Sequence, residues 1–272
     1  MQIGVVDYGV GNIANVMRCL EYVARTESIK RVSTHKDIQA CDKIVLPGVG
    51  AFGSAMEHLS ARDLDKSLCE YAKSGRYMLG ICLGMQLLFE KSYEFGEYKG
   101  LGLVEGFVAP FGSKDSIEWH IKTNMGFNGI ESKGLDSIPT NHANKTTNSN
   151  NYIDKGANLE NLESIYTNTQ ALYATNNNKA QNTHLKIPHI GWNKNFIKKP
   201  HNLCASMKDS FYLYFVHSYH VCCDTRFIIA ACDYGISFPS IIGKENILGI
   251  QPHPERSHEM GFKLMRDFLQ LR

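Results

Sequence analysis

No apolar run in this sequence approaches the roughly 18–20 residues that a membrane-crossing helix needs. The chain opens MQIGVVDYG, with neither a basic segment nor a cleavable apolar one, so no export signal is read and a cytoplasmic location is expected. There is no Cys-x-x-Cys pair and no Cys/His cluster at zinc spacing, which removes the dithiol and structural-zinc readings. Neither sign of charge prevails. Lys plus Arg is 29 against 27 Asp plus Glu, a net of +2, which argues for no nucleic-acid partner and no membrane partner.

What is present fits a folded chain. Hydrophobic residues are 43% and charged residues 21% of 272, which excludes wholesale disorder and allows one sizeable core. The cysteines are Cys19, Cys41, Cys69, Cys82, Cys204, Cys222, Cys223 and Cys232. On a chain this long, without an export signal, they read as reduced thiols and mostly as small buried hydrophobes. Cys222 and Cys223 would face opposite sides of a strand. Cys82 is set apart by its neighbours.

Residues 2–6, 43–47 and 77–81 read as short buried strands. Helical periodicity follows each, over about 13–24, then 54–60 and 65–74, then about 85–91. This alternation predicts an α/β domain with a largely parallel sheet. The pattern stops near Gly112. From 112 to about 185 the chain is rich in Asn, Thr, Ser, Lys and Gly, with NKTTNSNN at 144–151, and reads as a flexible polar insertion within a single domain spanning 1–272. A weak island at about 159–172 is compatible with a marginal helix. Beyond it, 211–221 reads as one strand with aromatic alternation, 227–235 as another, 239–257 as a hairpin, and about 260–271 as a closing helix. These late strands predict antiparallel additions to the parallel sheet.

Three motifs follow predicted strands, where parallel α/β sheets carry their sites. Gly80-Ile81-Cys82-Leu83-Gly84 has the strand–turn–helix context of a nucleophile elbow, with Cys in place of Ser. A helix N-terminus there favours thiolate, and the Leu83 N–H would face an oxyanion. By itself the motif is also compatible with a glycine-flanked core cysteine. In Gln251-Pro252-His253-Pro254-Glu255, His253 and Glu255 supply a base and its orienting carboxylate, with a plain surface turn as the competing reading. In Pro47-Gly48-Val49-Gly50, a glycine-rich turn could aim backbone N–H groups at an oxyanion, or could be an ordinary strand-to-helix turn. His217-Ser218-Tyr219 lies in the aromatic strand, where a satisfied core histidine is the simpler reading.

Taken together, PGVGAFG (47–53), GICLGMQLLFE (80–90), IPHIGWN (187–193), YFVHSYHV (214–221) and GIQPHPERS (249–257) resemble the class I, triad-type glutamine amidotransferases. DYGVGN (7–12) and IPHIGWN narrow the resemblance to the glutaminase subunits of imidazole glycerol phosphate synthases. The resemblance covers about 1–111 and 186–272. It implies a flavodoxin-like three-layer α/β fold with a mixed, mainly parallel sheet. It implies Cys82 as nucleophile, His253 as base and acid, and Glu255 as its orienter. It further implies an oxyanion hole from Leu83 and the Val49–Gly50 stretch, and a glutamine pocket lined by Gln86, His217, Ser218 and Tyr219. Asn12 and IPHIGWN match segments near a subunit interface and the oxyanion strand. No metal or organic cofactor is implied. The implied partner is a (β/α)₈ cyclase subunit in a heterodimer, which receives ammonia and forms imidazole glycerol phosphate and an aminoimidazole carboxamide ribotide, a step of histidine biosynthesis. Two alternatives stand beside it: a paralogue supplying ammonia for surface-sugar synthesis, which would share the triad, and an inactive scaffold subunit that keeps the fold, against which intact Cys82, His253 and Glu255 argue. A hydrolase on the same elbow is a weaker option. Pro252 stands where the family usually has an aromatic or small residue, and the polar insertion is not a usual family feature.

Overall fold

Continuous apolar runs become the innermost strands. In the computed structural model, which describes residues 1–125, 167 and 185–272, β1 (Gln2–Val6), β3 (Lys43–Gly48) and β4 (Met78–Cys82) are buried over nearly their whole length. Such strands are covered on both faces by helices. β2 (Ser28–Val32) is largely open to solvent and forms one edge. The helices between them are α1 (Ile13–Val23), α2 (His35–Gln39), α3 (Phe52–Ser60), α4 (Leu64–Lys73) and α5 (Leu83–Leu87). In α1 the apolar stripe Ile13, Val16, Cys19, Leu20 and Val23 is buried, the 3.6-residue period of a helix lying on a sheet.

Three short strands follow, β5 (Phe89–Ser92), β6 (Tyr98–Lys99) and β7 (Val104–Pro110), then α6 (Lys114–Thr123). The later part of the chain supplies β8 (His189–Ile197), β9 (Ser210–His217), β10 (Tyr219–Cys223), β11 (Ile228–Tyr234), β12 (Ile236–Lys244), β13 (Ile247–Ile250) and α7 (His258–Gln270). The main sheet has nine strands in the order β2-β1-β3-β4-β13-β12-β11-β8-β9. Neighbours are parallel from β2 to β13 and antiparallel from β13 to β9. One apolar cluster joins this sheet to α1 and α7; a second joins its other face to α3, α4 and a four-stranded sheet, β10-β7-β5-β6. The fold is the mixed, helix-flanked α/β architecture that the sequence predicts.

Several elements differ from the sequence reading. The stretch 211–221 is two strands in two sheets, separated at Ser218, whose carbonyl accepts from the N–H of Phe111. Buried and open residues alternate up to His217, and beyond the break 220–223 are buried without alternation. The helix expected to run to about 91 stops at Leu87, and Phe89–Ser92 enters the small sheet. β2 and α2 are short and were not foreseen, nor was the small sheet. The polar region expected from 112 onward begins with an ordered helix, α6, capped by the Ser113 side chain and burying Ile117, Trp119 and His120. The remainder of that region, including NKTTNSNN and most of the island at 159–172, lies outside the described residues.

Lys43 ties the two ends of the fold together. Its buried ammonium donates to the carbonyls of Phe268, Leu269 and Leu271 at 2.9, 2.7 and 2.7 Å, satisfying the C-terminal carbonyls of α7.

Candidate active site

Adjacent parallel strands β3, β4 and β13 end at the same edge, delivering Gly48, Cys82 and Gln251 side by side. Cys82 ends β4 with φ 53° and ψ −113°, a conformation L-residues rarely adopt, and α5 begins at Leu83. The turn is possible because its neighbours have no side chains. A Cβ on Gly84 would lie 1.8 Å from the Leu46 carbonyl oxygen, and one on Gly80 would lie 2.5 Å from the Gly84 oxygen. The packing therefore demands glycine on both sides of Cys82, as a nucleophile elbow requires. The Cys82 thiol faces the Val216 carbonyl at 3.9 Å and accepts from Nε2 of Gln251 at 3.7 Å.

His253 follows β13 on a backbone fixed at both ends. Its N–H donates to the Tyr214 carbonyl at 2.8 Å, and its carbonyl accepts from the Ser257 hydroxyl at 2.6 Å. The prolines at 252 and 254 fit this fixed path. Nδ1 of His253 pairs with Oε1 of Glu255 at 2.8 Å, and both side chains are almost wholly buried, 5% and 1% exposed. Asn12, just before α1, donates to the same Oε1 at 3.4 Å. Burial works against charge on the imidazole, but Cys82 and Glu255 outweigh it and raise its pKa to about 10. The arrangement favours a protonated His253 imidazole beside the Cys82 sulfur.

The oxyanion candidates occupy the rim. Tyr8, fully buried, donates from its hydroxyl to the Pro47 carbonyl at 3.0 Å and so anchors the turn. Gly50 has φ 100°, and nothing lies within 4 Å of where its Cβ would stand, so the peptide beside Val49 is unconfined. Leu83 supplies the first N–H of α5.

The glutamine-pocket candidates divide. Gln86 is buried, and its Nε2 donates to the Tyr219 carbonyl at 3.1 Å and to Oε1 of Gln251 at 3.0 Å. Ser218 and Tyr219 form the junction of the two sheets. His217 sits deeper, its Nδ1 donating to the Tyr219 carbonyl at 2.8 Å among Phe111, Phe215 and Phe238. Sequence reasoning assigned no role to Gln251, Tyr8 or Glu94. Glu94 is buried beside Tyr219 and accepts from the Phe52 N–H at 2.6 Å; burial raises its pKa, partly offset by that bond. The signal for Gln251 was its place in the QPHPE motif. Tyr8 follows β1 at the same sheet edge. Among the described residues, no group of His, Cys, Asp and Glu is placed to hold a metal ion.

A cysteine on a strained elbow beside a His–Glu pair is the arrangement of a triad amidotransferase. The chain belongs to the glutamine amidotransferase class-I family, whose pattern matches residues 4–271. Within that family its relatives are the imidazole glycerol phosphate synthase subunits HisH. It is 35% identical over 270 residues to HisH of Wolinella succinogenes, covering 99% of each chain. It is 35% identical over 282 residues to that of Helicobacter hepaticus, covering 100% of this chain and 99% of the relative. To that of Methanocaldococcus jannaschii it is 32% identical over 269 residues, covering 99% of both. Among solved structures it resembles PurLQS from Thermotoga maritima, with a TM-score of 0.59 and 13% identity, over 98% of this chain and 97% of the other. A glutamine amidotransferase crystal structure matches with a TM-score of 0.57 and 12% identity, over 98% and 97%. These last two likenesses concern the fold alone.

Proposed function

We propose that this chain is the glutaminase subunit of an imidazole glycerol phosphate synthase. The observation that carries the reading is the Cys82 elbow set beside the buried His253–Glu255 pair on adjoining strand ends. The full-length likeness to HisH subunits supports the histidine-pathway reading over the surface-sugar paralogue. An intact triad speaks against an inactive scaffold.

The Cys82 thiolate attacks the side-chain carboxamide of glutamine. The developing oxyanion is met by the N–H groups of Leu83 and the Val49–Gly50 stretch. The His253 imidazolium gives its proton to the departing nitrogen, the C–N bond breaks, and ammonia leaves a glutamyl thioester. Neutral His253 then takes a proton from water, which attacks the thioester. Glutamate departs, and the proton returns the pair to thiolate and imidazolium. Glu255 holds the imidazole through Nδ1, leaving Nε2 directed to the chemistry. Gln86, Ser218 and Tyr219 line the glutamine pocket, with His217 behind them.

The ammonia passes to a partner cyclase subunit of (β/α)₈ type in a heterodimer. The solvent face of β8 and β9 suits docking, since Ile190, Trp192 and Tyr212 are 58%, 46% and 53% exposed there. It continues to the segment that follows Glu255, because Trp192 stacks on His258 and Arg256 lies over the Tyr214 ring. Among the described residues no helix is long and apolar enough to cross a membrane, which is compatible with a cytoplasmic enzyme. No metal or cofactor is needed for these steps.

The test is glutamate release by the purified chain, with and without the partner subunit and its ribotide substrate, for wild type and Cys82→Ala. Release that rises with partner and ligand and vanishes in the variant is the expected result. A folded complex that releases no glutamate would overturn the reading.

A further inference from the structure

Behind the glutamine pocket a hydrogen-bonded chain crosses from β8 to the Cys82 sulfur. Nδ2 of Asn193 donates to Nε2 of His189 at 3.3 Å, and also to the Asp233 carbonyl at 2.9 Å. Nδ1 of His189 lies 3.0 Å from Nε2 of His217, and Nδ1 of His217 lies 2.8 Å from the Tyr219 carbonyl. That same carbonyl accepts from Gln86, which also donates to Gln251, and Gln251 donates to Cys82.

The direction of every link follows from its ends. A carbonyl only accepts, so Nδ1 of His217 carries the proton and Nε2 is bare. Nδ1 of His189 must then donate, which leaves its Nε2 to accept from Asn193. The Asn193 amide is oriented independently, because its Oδ1 accepts from the Lys194 N–H at 2.7 Å. Burial lowers the pKa of His189 to about 4 and takes that of His217 well below its usual value, so both rings are neutral, as the chain requires. His189 is clamped between the rings of Tyr234 and Phe215, with centroids 4.0 and 4.8 Å away. Both hydrogens of the Gln86 amide are engaged, so the end it presents to a ligand is its carbonyl.

We propose that His189 is a positioning residue for glutamine, fixing the Gln86 amide through His217 and the Tyr219 carbonyl; this rests on the glutaminase reading of the pocket. Without a donor at Nδ1 of His189, Nε2 of His217 is left buried and unpaired, and only the Tyr219 carbonyl still holds the ring. The Tyr219 carbonyl is then held less firmly by one of its two donors, and the Gln86 amide that rests on it loses its fixed orientation.

The test compares three substitutions. His189→Asn keeps an N–H where Nδ1 stood. His189→Gln places its amide near the Nε2 position, and His189→Leu has no donor. Steady-state glutamate release by the complex with the partner and its ribotide should show KM for glutamine raised about tenfold in the Gln and Leu variants, with kcat less affected. In His189→Asn the rise should stay within about threefold. Saturable alkylation of Cys82 by acivicin, a glutamine-like electrophile, followed by intact mass on the isolated chain, should rank the variants identically. Should His189→Leu fail to fold, the Asn and Gln pair carries the comparison. Equal KM and equal alkylation in folded Asn and Gln variants overturn the proposal. A wild-type complex that releases no glutamate instead removes the glutaminase reading, and the alkylation ranking still decides whether His189 positions the pocket.

Discussion

His253 and Glu255 are joined by one 2.8 Å bond between Nδ1 and Oε1, which leaves Nε2 on the side of the ring where Cys82 helps hold the imidazole's proton. Nε2 is the atom that must exchange protons with sulfur and leaving group. Glu255→Gln preserves shape but removes the charge and permits the wrong imidazole tautomer. Glutamate release should fall by about 10³–10⁴-fold with the fold intact by circular dichroism. A loss of less than about tenfold would contradict the orienting role.

The raised pKa of His253 has a consequence for stability. Its folded value of about 10 exceeds the ordinary 6.5 because Cys82 and Glu255 overcome the effect of burial. The folded state therefore holds this proton to higher pH than the unfolded chain does. The resulting stabilisation is complete below about pH 6.5 and is lost as pH climbs toward about 10. Urea denaturation of wild type and His253→Gln across that range should show the wild type losing stability relative to the variant as pH rises. A difference independent of pH would show that no such proton is held.

How much of this was legible in the sequence depends on where the physics is local. The Cys82 elbow could be read because glycines at 80 and 84 are forced by backbone contact, with Leu46 and Gly84 as the crowded groups. The parallel half could be read because buried strands are continuous apolar runs. β2 could not, since SIKRV is an exposed edge with little apolar pattern. The division of 211–221 between two sheets depends on long-range pairing of β10 with β7, which no local pattern encodes. His217 read as a core histidine, and its packing agrees, yet its bond to the Tyr219 carbonyl also reaches the pocket. His189 was visible only as part of IPHIGWN, because its meaning depends on a partner 28 residues away.

Gly84 tests the elbow from the structural side. With Leu46 oxygen 1.8 Å from the position of its Cβ, Gly84→Ala must push β3 and α5 apart. Backbone on both sides leaves no flexible side chain to yield. The variant should lose at least about 3 kcal/mol of stability or fail to express in soluble form, read by thermal unfolding. Gly50→Ala meets no neighbour but is strained at φ 100°, so it should fold and lose activity instead.

Lys43 supplies a test remote from the chemistry. Its ammonium satisfies three carbonyls at the end of α7, and burial lowers its pKa to about 8 against the pull of Glu27 and Asp42. Lys43→Met keeps the aliphatic stem but leaves those carbonyls without a donor. The cost should be about 2–4 kcal/mol in denaturant unfolding. Glutamine KM should not change, because α7 reaches the site only through its first turn. A variant as stable as wild type would mean that water serves the carbonyls as well as the lysine does.

The exposed aromatic face of β8 and β9 separates docking from chemistry. Trp192 lies 5.4 Å from His258 in a parallel stack and is half exposed, the kind of anchored aromatic that concentrates binding energy in an interface. Trp192→Ala should weaken association with the partner subunit by about 10- to 100-fold in sedimentation or calorimetry. Thermal unfolding of the isolated chain should hardly move, since the ring covers little of the core. Acivicin should alkylate Cys82 of the isolated variant at the wild-type rate, because no triad atom touches the indole. If association is unchanged, the partner docks on another face.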